Sequence, residues 1–160
     1  MRMLTAIIGC VYSVLMMGGH AVAQPQPQVV TTVTAQQVVT VLQSVGYRAS
    51  VATGTDGSKY VKSSMSGFNM AVQFFLCRND NCESLWFNAT FQKDPSLFTA
   101  NFLNAWNGRN RFARGVVDDN GDFHLLFDVN LAGGVTLDNI AQNAQLFDNL
   151  ISELVKLAKK

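Results

Sequence analysis

At 160 residues, with 12 basic against 11 acidic side chains and a formal net charge of +1, the chain has no surplus of positive charge with which to neutralise phosphates. Sequence-independent nucleic-acid binding is excluded on that ground. Three cysteines and two histidines leave few ligands for a metal centre, and neither a metal nor a cofactor is expected.

The chain opens on Arg2, runs through apolar residues from Leu4 to Met17, and reaches Gly18-Gly19-His20-Ala21-Val22-Ala23. Charged, apolar and small residues in that order make a secretory signal peptide over residues 1–23, and the apolar run falls short of the ~20 residues a membrane span needs. Ala21 and Ala23 offer the small side chains a signal peptidase accepts, so cleavage is expected before Gln24. The product is periplasmic or secreted, with no stable membrane insertion. Ile7-Ile8-Gly9-Cys10 has the look of a lipobox, but the apolar run continues well past Cys10, which argues against lipidation there. The rest suffices for one domain over residues 33–160, preceded by a flexible leader over 24–32 that starts Gln24-Pro25-Gln26-Pro27-Gln28 and is expected to be disordered or polyproline-like.

A helix is predicted over Ala35 to Val45, capped by Thr34, with Val38, Val41, Leu42 and Val45 on one face and Gly46 as terminator. Tyr47–Thr53 and Lys59–Met65 read as strands around Gly54-Thr55-Asp56-Gly57, and Ser66-Gly67 turns the chain into the next strand.

That next strand leads to Leu76-Cys77-Arg78-Asn79-Asp80-Asn81-Cys82. In an exported protein, two cysteines point first to a disulfide; free thiols and a metal site are the alternatives, and two ligands are too few for zinc. If Cys77 and Cys82 face each other across a hairpin with Arg78–Asn81 as its loop, then Phe68, Met70, Val72, Phe74 and Leu76 share a face with Phe91, Ala89, Phe87, Leu85 and Glu83. The opposite face takes Asn69, Ala71, Gln73, Phe75 and Cys77 with Thr90, Asn88, Trp86, Ser84 and Cys82. A slip of one residue would separate the two apolar sets, so the register that pairs the cysteines also builds a core. A four-stranded antiparallel meander results.

Asp94-Pro95-Ser96 is expected to open a helix through Leu97, Phe98, Phe102, Ala105 and Trp106, ended by Gly108. The acidic stretch Asp118-Asp119-Asn120-Gly121-Asp122 fails as a calcium loop, because its glycine is misplaced and no glutamate closes it. Asn120-Gly121 reads instead as a two-residue hairpin turn. This register places Phe112, Arg114 and Val116 opposite Val129, Phe127 and Leu125, and His124 across from Val117. Arg114 then sits on an apolar face and needs a carboxylate or a route to solvent. After Gly133-Gly134, Thr136 caps a long helix with Ile140, Ala144, Phe147, Ile151, Leu154 and Ala158 on one side. Asp138 near its start and Lys156, Lys159 and Lys160 near its end suit the helix dipole.

The stretches Trp106-Asn107, Asn110-Arg111-Phe112-Ala113-Arg114, Asp118-Asp119-Asn120-Gly121-Asp122 and Gly133-Gly134-Val135-Thr136 together resemble the C-terminal part of YbjN domains, also catalogued as bacterial sensory transduction regulators. The likeness extends over roughly residues 33 to 155. It implies an α+β domain similar in fold to type III secretion chaperones: an antiparallel sheet of about six strands with N-terminal, middle and C-terminal helices packed on it, often as a homodimer. The family brings no catalytic residues, so none is carried over. Its better-known members are cytoplasmic, whereas this chain carries an export signal and a cysteine pair suited to it.

The function expected is non-enzymatic: an exported binding or regulatory protein of the bacterial cell envelope that recognises a protein or peptide partner. Phe75, Trp86 and Gln73 on the polar face of the cysteine hairpin are the binding residues, unless a helix covers that face and makes it a second core. One alternative is a hydrolase-like enzyme built from His124 with Asp118, Asp119, Asp122 and Asp128; no nucleophile motif supports it. The other is a structural assembly subunit with a large exposed apolar surface.

Overall fold

The computed structural model describes residues 27–158. The signal peptide, Cys10, the start of the leader, Lys159 and Lys160 lie outside the described residues. In chain order the elements are β1 (Val29–Val30), α1 (Ala35–Ser44), β2 (Ala49–Thr53), β3 (Lys59–Met65), β4 (Phe68–Arg78), β5 (Asn81–Phe91), α2 (Ala100–Arg109), β6 (Ala113–Val117), β7 (Phe123–Asn130), β8 (Val135–Thr136) and α3 (Leu137–Ala158). Six strands form one antiparallel sheet in the order β2-β3-β4-β5-β7-β6, and β1 pairs with β8 apart from it. The leader is thus shorter than expected at its far end, because Val29 and Val30 are held by Thr136 and Val135.

All three helices lie against one face of the sheet. Thr34 caps α1 through a reciprocal box: the Gln37 N–H donates to the Thr34 hydroxyl while the Thr34 N–H donates to the Gln37 side-chain oxygen. Val38, Val41 and Leu42 of α1, together with Ile140, Ala144, Phe147, Ile151 and Leu154 of α3, bury against Val61, Val72, Leu85, Phe87, Leu125 and Phe127 of the sheet. Ala158, placed on the same stripe by sequence, is exposed at the end of α3.

The middle helix begins later than expected. The Asp94 carboxylate accepts from the N–H groups of Ser96 and Leu97, forming a separate turn, and Thr99 is the cap of α2. Gly108 lies inside that helix rather than ending it.

The cysteine hairpin has the expected register: Val72 faces Phe87, Gln73 faces Trp86 and Cys77 faces Cys82, and the two sulfurs are bonded. Its loop is tighter than expected, only Asn79 and Asp80, both with positive φ as a primed two-residue turn requires. Leu76 is a correction. It takes a left-handed φ of 55°, drops out of the pairing with Glu83, and is 71 % exposed instead of pointing into the core. Beyond this break the alternation lapses, and the disulfide lines a cavity of about 670 Å³ with Phe74 and the first turn of α1 rather than joining the polar face of Trp86. Cys82 is buried and pairs its main-chain N–H and C=O with those of Val33.

The second hairpin is shifted by one residue from the expected register. Arg114 faces Leu126, Gly115 faces Leu125, and His124 is across from Val116, not Val117. The loop holds three residues, with the Asp118 N–H bonded to the Asp122 carbonyl and Gly121 at φ 89°. The Asp118 carboxylate fixes it by accepting from the N–H groups of Asn120 and Asp122. One step of register sends Arg114 and Val116 to the face away from the helices and brings Ala113 and Gly115 inward.

Candidate interaction surface

No described helix covers the other face of the sheet. Its centre is a row across four strands: Gln73 on β4, Trp86 on β5, Asp128 on β7 and, diagonally, Arg114 on β6. Phe75 stands next to Trp86 in an edge-on arrangement with ring centroids 5.7 Å apart, and is 45 % exposed. The sheet places Phe75, Trp86 and Gln73 on one face, with no described helix over them.

Arg114 and Asp128 complete the group, and the sequence assigns neither to it: Asp128 figures there only in the hydrolase alternative, and Arg114 on the opposite face. The Arg114 guanidinium lies over the Trp86 ring at 5.7 Å while donating to an Asp128 carboxylate oxygen at 2.6 Å. The only advance signal was that Arg114 needed a carboxylate, and the misjudged register hid which one. Two buried polar atoms on this face have no partner among the described residues, the Trp86 indole N–H and the Gln73 side-chain oxygen. Phe75 is exposed and Trp86 half-buried, so the pair offers aromatic contact area, while the two unpartnered atoms lie out of reach of an incoming group in this arrangement.

Further along the same face Asn69, Asn88, Thr90 and Lys62 surround the small Ala71, leaving a shallow depression of about 390 Å³. His124 stands beside it: its Nδ1 is 3.1 Å from the Thr90 hydroxyl and its Nε2 is 3.3 Å from an Asp118 oxygen. Burial pushes the Asp118 carboxyl up, but hydrogen bonds from Asp122, His124 and Asn120 outweigh it and hold the group below its ordinary value.

Hydroxyl, imidazole and carboxylate in sequence could pass a proton. However, Thr90 is exposed, and both β5 and β7 are interior strands whose N–H groups are spent in the ladder, so none is free to cradle an oxyanion. The remaining carboxylates of the expected acidic group disperse. Asp128 serves Arg114, and Asp122 accepts from the Lys93 N–H. Among the described residues no group of three or more His, Cys, Asp or Glu could hold a metal ion, and no helix is long and apolar enough to cross a membrane.

A sheet backed by helices on a single face, with aromatic and charged side chains on the other, defines a one-sided α+β domain. Residues 34–156 match the family model YbjN, described as "Putative bacterial sensory transduction regulator", and the chain belongs to that family. A solved structure, "Crystal structure of YbjN, a putative transcription regulator from E. coli", shares the fold with a TM-score of 0.61 at 16% identity, over 80% of this chain and 92% of that one. No curated protein matches the chain.

Proposed function

We propose that this is an exported, non-enzymatic regulatory protein of the bacterial cell envelope that binds a protein or peptide partner on the open face of its sheet. The observation that carries the reading is the Phe75–Trp86–Arg114 group, in which exposed Phe75 and Arg114 flank the half-buried Trp86 ring on a face that no described helix covers. Aromatic and arginine side chains that combine large contact area with directional bonds are the usual anchors of protein interfaces. The family's description as a regulator supports a binding role over a catalytic one. Export rests on the signal peptide read in residues 1–23 and on the Cys77–Cys82 disulfide, which an oxidising compartment maintains.

The test is capture from a periplasmic extract with wild type, Trp86→Ala and Thr40→Ala, the last on the exposed side of α1. A partner held by wild type and Thr40→Ala but lost with Trp86→Ala is expected; the same proteins recovered by all three would refute the surface. Export has its own readout. The mature protein should begin at Gln24 by mass and fractionate with the periplasm or the medium, and an intact Met1 in the cytoplasm would overturn it.

A further inference from the structure

The two edges of the sheet are treated differently. At the β6 edge, Asn107 of α2 reaches across and satisfies both main-chain groups of Gly115: its Nδ2 donates to the Gly115 carbonyl at 3.1 Å, and its Oδ1 accepts from the Gly115 N–H at 2.7 Å. Among the described residues the β2 edge has no such cover. The Gly54 N–H donates to the Ser58 carbonyl at the turn end of the β2–β3 ladder, one step beyond the Thr53–Lys59 pair, so by alternation Ala49, Val51 and Thr53 direct their N–H and C=O groups outward. Of these only the Ala49 carbonyl meets a side chain, Gln43 Nε2 at 3.1 Å.

The strand Ala49-Ser50-Val51-Ala52-Thr53 also lacks the lysine, proline or bulge that commonly guards a free edge. Val51, on the helix side of the sheet, is 39 % exposed because α1 stops short of covering it, and it lines the cavity beside the disulfide.

We infer that the β2 edge is the pairing surface for a second copy of this chain, joined antiparallel about a two-fold axis at Val51. In this register Val51 pairs with its own counterpart and Ala49 with Thr53 of the other copy, so the outward main-chain groups are satisfied reciprocally. The two Val51 side chains meet on one face and cover each other.

Charge favours the antiparallel sense. Arg48 precedes the strand and Asp56 follows it in the turn; both are exposed and neither belongs to an ion pair among the described residues. Antiparallel pairing brings Arg48 opposite Gly54 of the second copy, next to that copy's Asp56. The contact is small, below the ~1,200 Å² of a standard interface, so the dimer is weak and concentration-dependent. Both open faces remain free, and the pairing does not depend on the partner-binding reading.

Sedimentation velocity of the purified protein from about 10 to 500 μM tests this. Wild type should shift from monomer to dimer across that range, and Trp86→Ala should behave identically. Val51→Pro removes only an outward N–H, which the β2–β3 ladder does not use; it should weaken dimerisation at least about tenfold with an unchanged circular dichroism spectrum. Arg48→Glu should also weaken it, and adding Asp56→Arg should restore it, which keeps the test open if the proline variant misfolds. A wild type monomeric throughout, a dimer undiminished in Val51→Pro and Arg48→Glu, or a double charge variant no better than Arg48→Glu would each overturn the proposal.

Discussion

Gly115 occupies its position because no side chain fits there. A Cβ at this residue would lie 2.7 Å from the Phe123 ring and 3.3 Å from Trp106 Cδ1, and both aromatic residues are buried with little room to move. Gly115→Ala should therefore destabilise the protein by about 1–3 kcal/mol through overpacking, read as a lowered urea midpoint with an unchanged slope. The close approach that excludes a methyl group also lets Asn107 reach the β6 main chain. Gly115, Trp106 and Asn107 all fall in or beside the stretch that resembles the family, yet their roles were not legible there. Glycine in a strand and asparagine late in a helix acquire meaning only once the register sets which way Gly115 faces.

At the scale of elements, the hairpins show what a sequence pattern can and cannot decide. For β4 and β5, long alternating apolar runs and a cysteine pair both require the same register, and it is the one found. For β6 and β7, Asn120-Gly121 suits either a two-residue turn or the end of a three-residue loop, and the Asp118 carboxylate selects the latter. The apolar pattern of β6 is too short to fix the register by itself, so in sequence Arg114 falls on the helix face and only half of the site is visible. The start of α2 misled for a related reason: Asp94 makes local bonds that look, in sequence, like a helix cap. Where the pattern was strong, its energetic consequence is testable. The disulfide closes a short loop, and its reduction should lower stability by about 2 kcal/mol, shown by urea unfolding with and without reductant.

A second link between elements is sensitive to pH. Tyr47, after α1, donates to an Asp148 oxygen of α3 at 3.0 Å, and Ser66 in the β3–β4 turn donates to the other oxygen at 2.5 Å. Burial, aided by the hydrogen bond and the charge of Asp148, raises the Tyr47 pKa from 10.0 to about 12. Above pH ~10 the unfolded chain gives up this proton while the folded chain keeps it, so folding binds a proton and stability falls as pH rises. The contribution is complete below pH ~10 and gone once pH passes ~12. The stability difference between wild type and Tyr47→Phe should accordingly hold constant at neutral pH and shift against wild type in that alkaline window. Parallel urea-midpoint curves through it would show that the Tyr47–Asp148 bond has no such linkage.

For the whole molecule, the decisive property is that the sheet has two unlike sides, and β5 separates them within two consecutive residues. Phe87 is fully buried among Phe127 and Phe147 beneath the helices, whereas Trp86 stands on the open face among Phe75, Arg114 and Gln73. The strands' alternation carries this division from the cysteine hairpin to β7, which is why one correct register made most of the core legible and one wrong register cost half of the surface. Alanine at each position should separate stability from recognition. Phe87→Ala removes a ring from a packed interior and should cost about 3–5 kcal/mol. Trp86→Ala loses only a partly covered contact and an arginine stacking partner, so it should cost less than half as much, and it also removes a buried N–H that has no bond to lose. Urea unfolding of the two variants measures the first quantity, and retention of a captured partner by the folded Trp86→Ala protein measures the second. Equal destabilisation by the two substitutions would mean that the Trp86 side holds the fold together as the core does, and the division of labour between the faces would have to be abandoned.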